Sequence, residues 1–137
     1  TRHTITMWMP LVDVPLEAGV LTFATGSHAQ GSLASMPISD ESQRTFDKLV
    51  AERRFPIARR ALATGDATFH SGWTLHCAPG NASDHMREVM TVIYFEDGAR
   101  VAEPHNPHQP ADLARWLPGL KPGDPAASPL NPVVWRE

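Results

Sequence analysis

Apolar and polar side chains alternate along the first part of the chain. In residues 4–14, apolar side chains take every second position, with threonine and Trp8 between them; the alternating apolar residues are Ile5, Met7, Met9 and Leu11. A period of two predicts a half-buried β-strand. Residues 17–19 have the composition of a turn, and residues 20–24 read as a second strand. We therefore expect these two strands to pair as a hairpin.

One later segment changes to a helical period. Residues 40–54 are expected to form a helix that Asp40 and Gln43 begin as a capping box. One stripe of this helix carries Phe46, Leu49, Val50 and Arg53. The opposite, charged face is most simply solvated surface.

Short strands return after residue 57. The predicted strands are residues 60–62, 67–69, 74–77 and 87–95. The last is apolar on both faces, which is typical of a strand in the centre of a sheet. Many short strands with regular turns predict a mainly β protein, a sandwich or barrel with one main helix.

The C-terminal part of the chain is rich in proline. Residues 104–132 hold eight of the thirteen prolines, and residues 111–116 are expected to form a short helix. Six apolar residues should anchor this part: Trp116, Leu117, Leu120, Val133, Val134 and Trp135. We predict an ordered strap, residues 104–137, over the barrel of a single domain covering residues 1–137.

The composition of the chain limits the kinds of binding partner that we expect. The chain has 137 residues, a net charge of -3 and one cysteine. It is long enough for one stable core, and its charge gives no reason to expect nucleic acid or a membrane surface as partner. One cysteine cannot form an internal disulfide. With no signal peptide or membrane span visible, we expect a cytoplasmic protein that binds a small molecule.

His76 and Arg87 form the most informative pair of candidate site residues. His76 closes one predicted strand and Arg87 opens the next, with a polar turn between them. If those strands are antiparallel neighbours, both side chains share one interior surface. Imidazole is a good iron ligand and guanidinium a planar fork for a carboxylate. On spacing alone, a structural histidine and an exposed ion-pairing arginine remain open.

The other polar candidates have simpler interpretations. We expect His70 to be a pocket wall or core residue and His28 to be structural. Cys77 should be a small buried hydrophobe, and Asp66 part of a turn. Asp13 is more readily explained by a salt bridge than by a role as metal ligand.

Two blocks of this sequence resemble the phytanoyl-CoA dioxygenase family. The first contains Trp8-Met9-Pro10-Leu11, Glu17-Ala18-Gly19 and Gly26-Ser27-His28. The second runs from Gly65-Asp66 through His70 and His76 to Asn81, Ser83 and Arg87. The blocks stand in the family's order, with a helical insert between them, and the resemblance covers about residues 4–94.

The resemblance implies a double-stranded β-helix, or jelly roll of cupin-like form, and a non-haem Fe(II)/2-oxoglutarate-dependent dioxygenase. His76 would be the distal iron ligand, and Arg87 would bind the far carboxylate of 2-oxoglutarate. Trp8 would line the pocket. Asn81 and Ser83 would shape the turn and touch the co-substrate or the surroundings of the metal. The substrate would be a small organic molecule that the sequence does not identify.

This chain departs from the family pattern in two places. The family's other ligands form a His-x-Asp pair before the Trp-x-Pro-Leu strand; His3 does not replace it, because Ile5 stands where the carboxylate would be. Ala78 stands where many members carry a small hydroxyl residue. We therefore expect this chain alone to be inactive. The alternatives are a non-catalytic β-barrel that binds a small molecule, another cupin-like metalloenzyme, and a halogenase, which lacks the carboxylate ligand.

Overall fold

The computed structural model describes residues 1, 3–31, 36 and 38–135. Six strands are present in this part: β1 Thr4–Pro10, β2 Thr22–Ala24, β3 Ile57–Ala58, β4 Thr68–Ser71, β5 His76–Cys77 and β6 Val89–Phe95. Two α-helices, α1 Asp40–Arg53 and α2 Gln109–Trp116, and two 3₁₀ helices, Leu16–Ala18 and Ser27–Gln30, complete the elements. The chain is mainly β, as predicted. Neither α-helix is long and apolar enough to cross a bilayer.

The strands form two three-stranded sheets. One has the order β4-β1-β6 and the other the order β3-β2-β5. β1 runs antiparallel to β4, with Thr6 opposite His70 and Trp8 opposite Thr68. β2 runs antiparallel to both of its neighbours, and Phe23 lies opposite His76.

The expected hairpin between the first two strands is wrong. β1 and β2 belong to different sheets, because residues 11–21 cross from one to the other through the 3₁₀ helix Leu16–Ala18. In this crossing, Val14 forms a two-way backbone bridge with Leu62, with N–O distances of 2.8 and 3.0 Å. The alternation correctly predicted a strand, but the partner of a strand depends on residues far along the chain.

β1 buries the face that carries Trp8. Trp8 is 7% exposed and packs with Val14, Val20 and Leu62 in the hydrophobic core, whereas Ile5 on the other face is largely exposed. β6 is the end strand of its sheet within the described residues, and its Ile93 is 63% exposed. The prediction that this strand is central is therefore wrong.

Residues 2–94 form one compact unit, and residue 1 with residues 95–137 forms a second. Within the second unit, α2 confirms the predicted short helix, although it begins at Gln109. Asn131 donates a 2.6 Å hydrogen bond to the Trp116 carbonyl at the end of α2. The backbone N of Val101 donates a 3.0 Å hydrogen bond to the carbonyl oxygen of Asp124.

Four of the six predicted anchors in the second unit are exposed: Trp116, Val133, Val134 and Trp135. Leu117 and Leu120 are half-buried. Whether these six residues anchor a strap on the barrel stays a prediction. Whether the chain is a single domain with a strap stays a prediction.

Candidate active site

His76 lies in β5 with its ring oriented by its own strand. Its Nδ1 is 2.8 Å from the carbonyl oxygen of Thr74. A carbonyl oxygen only accepts, so Nδ1 must carry a proton, and in the neutral ring Nε2 then keeps its lone pair. The residue is exposed, so this lone pair can accept a metal ion. Fixing one ring nitrogen on a carbonyl is how proteins orient an imidazole ligand.

His70 lies beside His76, on a strand of the other sheet. The ring centroids of the two histidines are 4.7 Å apart, and Phe23 is 5.0 Å from His70 and 6.2 Å from His76. His70 is only 9% exposed, as expected for a wall or core residue. Burial, and secondly the repulsion from His76 when that ring is protonated, lower the pKa of His70, so that its neutral form is favoured.

Arg87 precedes β6, and its strand is not the neighbour of β5. The two strands belong to different sheets, so the expected antiparallel pairing of the His76 and Arg87 strands is wrong. Arg87 is half-buried, and its Nη1 donates to the carbonyl oxygen of Gly19. The rest of the guanidinium fork keeps donors for a carboxylate.

One short segment nevertheless connects the two residues. Arg87 contacts Gly19, and His76 pairs with Phe23 four residues later. Four residues of extended chain span at most about 14 Å. The two sheets therefore hold the imidazole and the guanidinium against the same segment, although their own strands do not pair.

Gly19 makes the approach of Arg87 possible. It ends the 3₁₀ helix Leu16–Ala18 with φ of 79°, a left-handed conformation that suits glycine. A side chain here would collide with the carbonyl oxygen of Pro79 and crowd Arg87. Next to it, Ala82 N donates to the Glu17 carbonyl at 2.8 Å, which ties the two turns together.

Asn81 and Ser83 build the turn between β5 and β6. Asn81 Nδ2 donates to the carbonyl of His85 at 2.7 Å. Its Oδ1 accepts from the backbone N of Ser83 at 2.9 Å and from the Ser83 hydroxyl at 2.6 Å. These bonds occupy both side chains within the turn, and their contact with a co-substrate stays a prediction.

Trp8 is part of the core described above, and its role as a pocket wall stays a prediction. A small cavity of about 140 Å³ lies elsewhere in the same unit; it is lined by His28, Ala29, Gly31, Ser71 and Trp73. No sequence pattern pointed to this cavity. Hence His28, expected to be structural, lines a cavity.

The remaining candidates behave as parts of turns and strands. Asp13 Oδ1 accepts from Thr64 N at 2.7 Å and from its hydroxyl at 2.9 Å, in place of the expected salt bridge. Asp66 closes its turn on Ala63 N at 3.0 Å, as predicted. Cys77 is half-buried opposite Thr22. The described residues contain no group of three His, Cys, Asp or Glu side chains placed to hold a metal ion.

Solved structures similar to this chain include non-haem α-ketoglutarate-dependent enzymes. A non-haem α-ketoglutarate-dependent carbocyclase, SnoK from nogalamycin biosynthesis, is 29% identical over 93% of this chain and 47% of its own, with a TM-score of 0.70. A non-haem α-ketoglutarate-dependent epimerase, SnoN, from the same biosynthesis, is 29% identical over 98% of this chain and 50% of its own, with a TM-score of 0.73. SnoN in complex with Fe³⁺, α-ketoglutarate and nogalamycin RO is 32% identical, with a TM-score of 0.67.

The chain belongs to the phytanoyl-CoA dioxygenase (PhyH) family, whose model matches residues 1–89. It spans about half the length of the solved structures that it resembles. No curated protein matches the sequence. The family predicted from the two sequence blocks is thereby confirmed.

Proposed function

We propose that this chain is the part of an Fe(II)/2-oxoglutarate-dependent dioxygenase that carries one iron ligand and the co-substrate anchor. In this proposal His76 binds the metal through Nε2, and Arg87 holds the far carboxylate of 2-oxoglutarate. The enzyme hydroxylates a small organic substrate. Membership of the PhyH family and the α-ketoglutarate dependence of SnoK and SnoN support the class.

The orientation of His76 is the observation that carries the proposal. The Nδ1 atom of His76 is bonded to the Thr74 carbonyl, which leaves Nε2 for a metal ion. Phe23, which lies opposite His76 on the neighbouring strand, contacts the ring of His70. A histidine that served only as a surface residue would not need a fixed tautomer. A metal ligand does, because the wrong tautomer presents a proton to the metal instead of a lone pair.

Arg87 fits the role of anchor for a dicarboxylic acid. Its contact with the Gly19 carbonyl fixes the plane of the guanidinium, and the remaining donors match the two oxygens of a carboxylate. Trp8, Asn81 and Ser83 would complete the binding region, the first by its bulk and the other two through the turn that they build.

The two sheets are proposed to be parts of the two sheets of a double-stranded β-helix. In such a jelly roll the site lies between the sheets, which is where His70 and His76 approach each other. When bound, Fe(II) with 2-oxoglutarate and dioxygen supplies the oxidising power to hydroxylate an unactivated C–H bond. The residues present fit this centre only in part, since they supply one imidazole and one guanidinium.

Binding of 2-oxoglutarate to this chain tests the proposal directly. We expect weak binding in an NMR titration, and Arg87→Ala should raise the dissociation constant at least about tenfold, because a charge-assisted bond to a carboxylate is lost. Arg59→Ala is the matched control, since Arg59 also donates to a backbone carbonyl, that of Leu16 at 2.8 Å. Equal effects of both variants, or no binding by the folded chain, would contradict the proposal.

A non-catalytic binding module and another cupin-like metalloenzyme are the competing functions. The reading frame upstream of Thr1 discriminates the proposed oxygenase from these two alternatives, because a His-x-Asp pair there would support the oxygenase. In a protein with that pair, His76→Ala should abolish decarboxylation of 2-oxoglutarate. Arg87→Ala should mainly raise the concentration of 2-oxoglutarate required. Equal loss of iron in both variants would contradict the separate roles.

The proposal also includes a cytoplasmic location and a small molecule as the partner. Fractionation of cells that express the tagged protein measures the location. Recovery in the membrane pellet after a salt wash would contradict it.

A further inference from the structure

His70 has a property that the proposed roles of His76 and Arg87 leave unexplained. It is 9% exposed, and its Nδ1 is fully buried without a hydrogen-bond partner within the described part of the chain. A buried nitrogen in this state is unfavourable, because it has given up water and gained nothing in exchange. Such atoms are rare in folded proteins, and a missing ligand is one of the accepted explanations.

The surroundings of His70 place its ring next to that of the proposed metal ligand His76. Its ring contacts those of Phe23 and His76 at a tilt, with centroids 5.0 and 4.7 Å away, and these two rings are 6.2 Å from each other. Phe23 is apolar, and the Nδ1 of His76 is already engaged by the Thr74 carbonyl. No hydrogen bond joins the His70 nitrogen to the other ring nitrogen of His76 either, within the described part of the chain.

We propose that His70 is a further binding residue for the co-substrate, donating from Nδ1 to an oxygen of 2-oxoglutarate. This inference rests on the proposed function, since it assumes an acid held beside His76 by Arg87. An oxygen acceptor at this position would satisfy the nitrogen, and the low exposure of His70 would strengthen the bond. The neighbouring Phe23 and His76 fix the ring, so that little freedom is lost on binding.

Three substitutions of His70 separate binding from packing. His70→Phe keeps an aromatic ring between Phe23 and His76 and removes the nitrogen. His70→Asn places an amide donor close to the position of Nδ1, whereas His70→Gln places it near that of Nε2. Without 2-oxoglutarate, His70→Phe should unfold at the same temperature as the unsubstituted chain or higher, because an unpaired buried nitrogen is removed.

Titration of the 137-residue chain with 2-oxoglutarate, followed by NMR, gives the deciding comparison. We expect His70→Phe and His70→Gln to weaken binding about tenfold, and His70→Asn to keep most of it. The increase in unfolding temperature on adding 2-oxoglutarate should follow the same order. If His70→Phe does not fold, His70→Gln against His70→Asn makes the same comparison.

Arg87→Ala, measured in parallel, distinguishes failure of this inference from failure of the proposed function. If Arg87→Ala weakens binding and His70→Phe does not, His70 is not a co-substrate residue and Arg87 keeps its role. If His70→Phe lowers the unfolding temperature without ligand and leaves 2-oxoglutarate binding unchanged, His70 is structural. No binding of 2-oxoglutarate by the folded chain would overturn both proposals together.

Discussion

Asp13 illustrates how a single carboxylate can brace two distant segments. It follows β1 and accepts two hydrogen bonds from Thr64, which precedes the turn at Gly65-Asp66. The bond from the backbone N of Thr64, and secondly the bond from its hydroxyl, lower the pKa of Asp13 from its usual value. The charged form is therefore stabilised in the folded protein.

This gives a pH dependence with a defined sign. Because the folded pKa of Asp13 is lowered, its contribution to stability is present above the unfolded pKa and is lost as the pH falls through the folded value. We expect Asp13→Ala to lower the unfolding temperature at pH 7, and the difference from the unsubstituted protein to shrink as the pH falls below about 4. Thermal unfolding followed by circular dichroism measures both.

Leu62→Ala is the control for this prediction. Leu62 is a buried, uncharged core residue, so the decrease in unfolding temperature caused by Leu62→Ala should not follow the titration of Asp13. A difference between Asp13→Ala and the unsubstituted protein that stays constant from pH 7 to pH 3 would contradict the assigned role of Asp13.

At the scale of the residue, the sequence motif selected candidate site residues, and their chemical roles stay predictions. The spacing from His76 to Arg87 and the polar turn between them pointed to both residues. The contact of His70 with His76 could not be predicted, because it joins strands of two sheets. Likewise, the tie between Gly19 and Arg87 bridges 68 positions of sequence.

Among the elements, α1 was predicted most closely. It runs Asp40–Arg53, but the residues that begin it are Ser39 and Ser42, not the predicted Asp40 and Gln43. Ser39 Oγ accepts from Ser42 N at 3.1 Å, and Ser42 Oγ accepts from Ser39 N at 2.9 Å. Aspartate and serine are both good caps, so composition alone could not choose between neighbouring positions.

The cap makes a quantitative prediction. Ser39→Ala should reduce the free energy of unfolding by about 1 kcal/mol, because a backbone N–H at the start of α1 loses its acceptor. Gln43→Ala removes only an exposed side-chain bond to Asp47 and should cost a few tenths of a kcal/mol, roughly. Urea unfolding of the two variants provides the measurement, and the reverse order would mean that the helix begins one residue later.

The strands were predicted as elements but not as pairs. Alternation in β1 and the apolar run in β6 both gave strands, since these patterns depend on neighbouring residues only. Pairing depends on contacts between distant segments, and here the chain changes sheets four times, after β1, β3, β4 and β5. The predicted hairpin and the predicted central position of β6 failed for this one reason.

For the whole molecule, the ligand set limits what the chain can do alone. We expect the 137-residue chain to bind Fe(II) weakly and to form no succinate, because His76 is one imidazole and iron centres of this kind use three protein ligands. Anaerobic equilibrium dialysis with Fe(II), and an assay for succinate, measure the two quantities.

His76→Ala should remove whatever weak affinity for Fe(II) the chain has, whereas His85→Ala should leave it unchanged, since His85 is exposed beside Asp84. Tight binding of one Fe(II) per chain would show that ligands exist beyond those proposed. Succinate formed by this chain would show the same.

The left-handed turn at Gly19 has a consequence for redesign of the proposed co-substrate site. Libraries aimed at new co-substrates would naturally vary Arg87 and spare a glycine in a distant turn. Yet the missing side chain of Gly19 is what lets the guanidinium rest against that turn and lets the Pro79 turn pass close by. Any side chain at position 19 would thus collide with the Pro79 carbonyl and press on the guanidinium of Arg87, so the arginine would be displaced. A redesign should therefore vary two contacting segments together or leave both unchanged: residues 17–19 and residues 79–87.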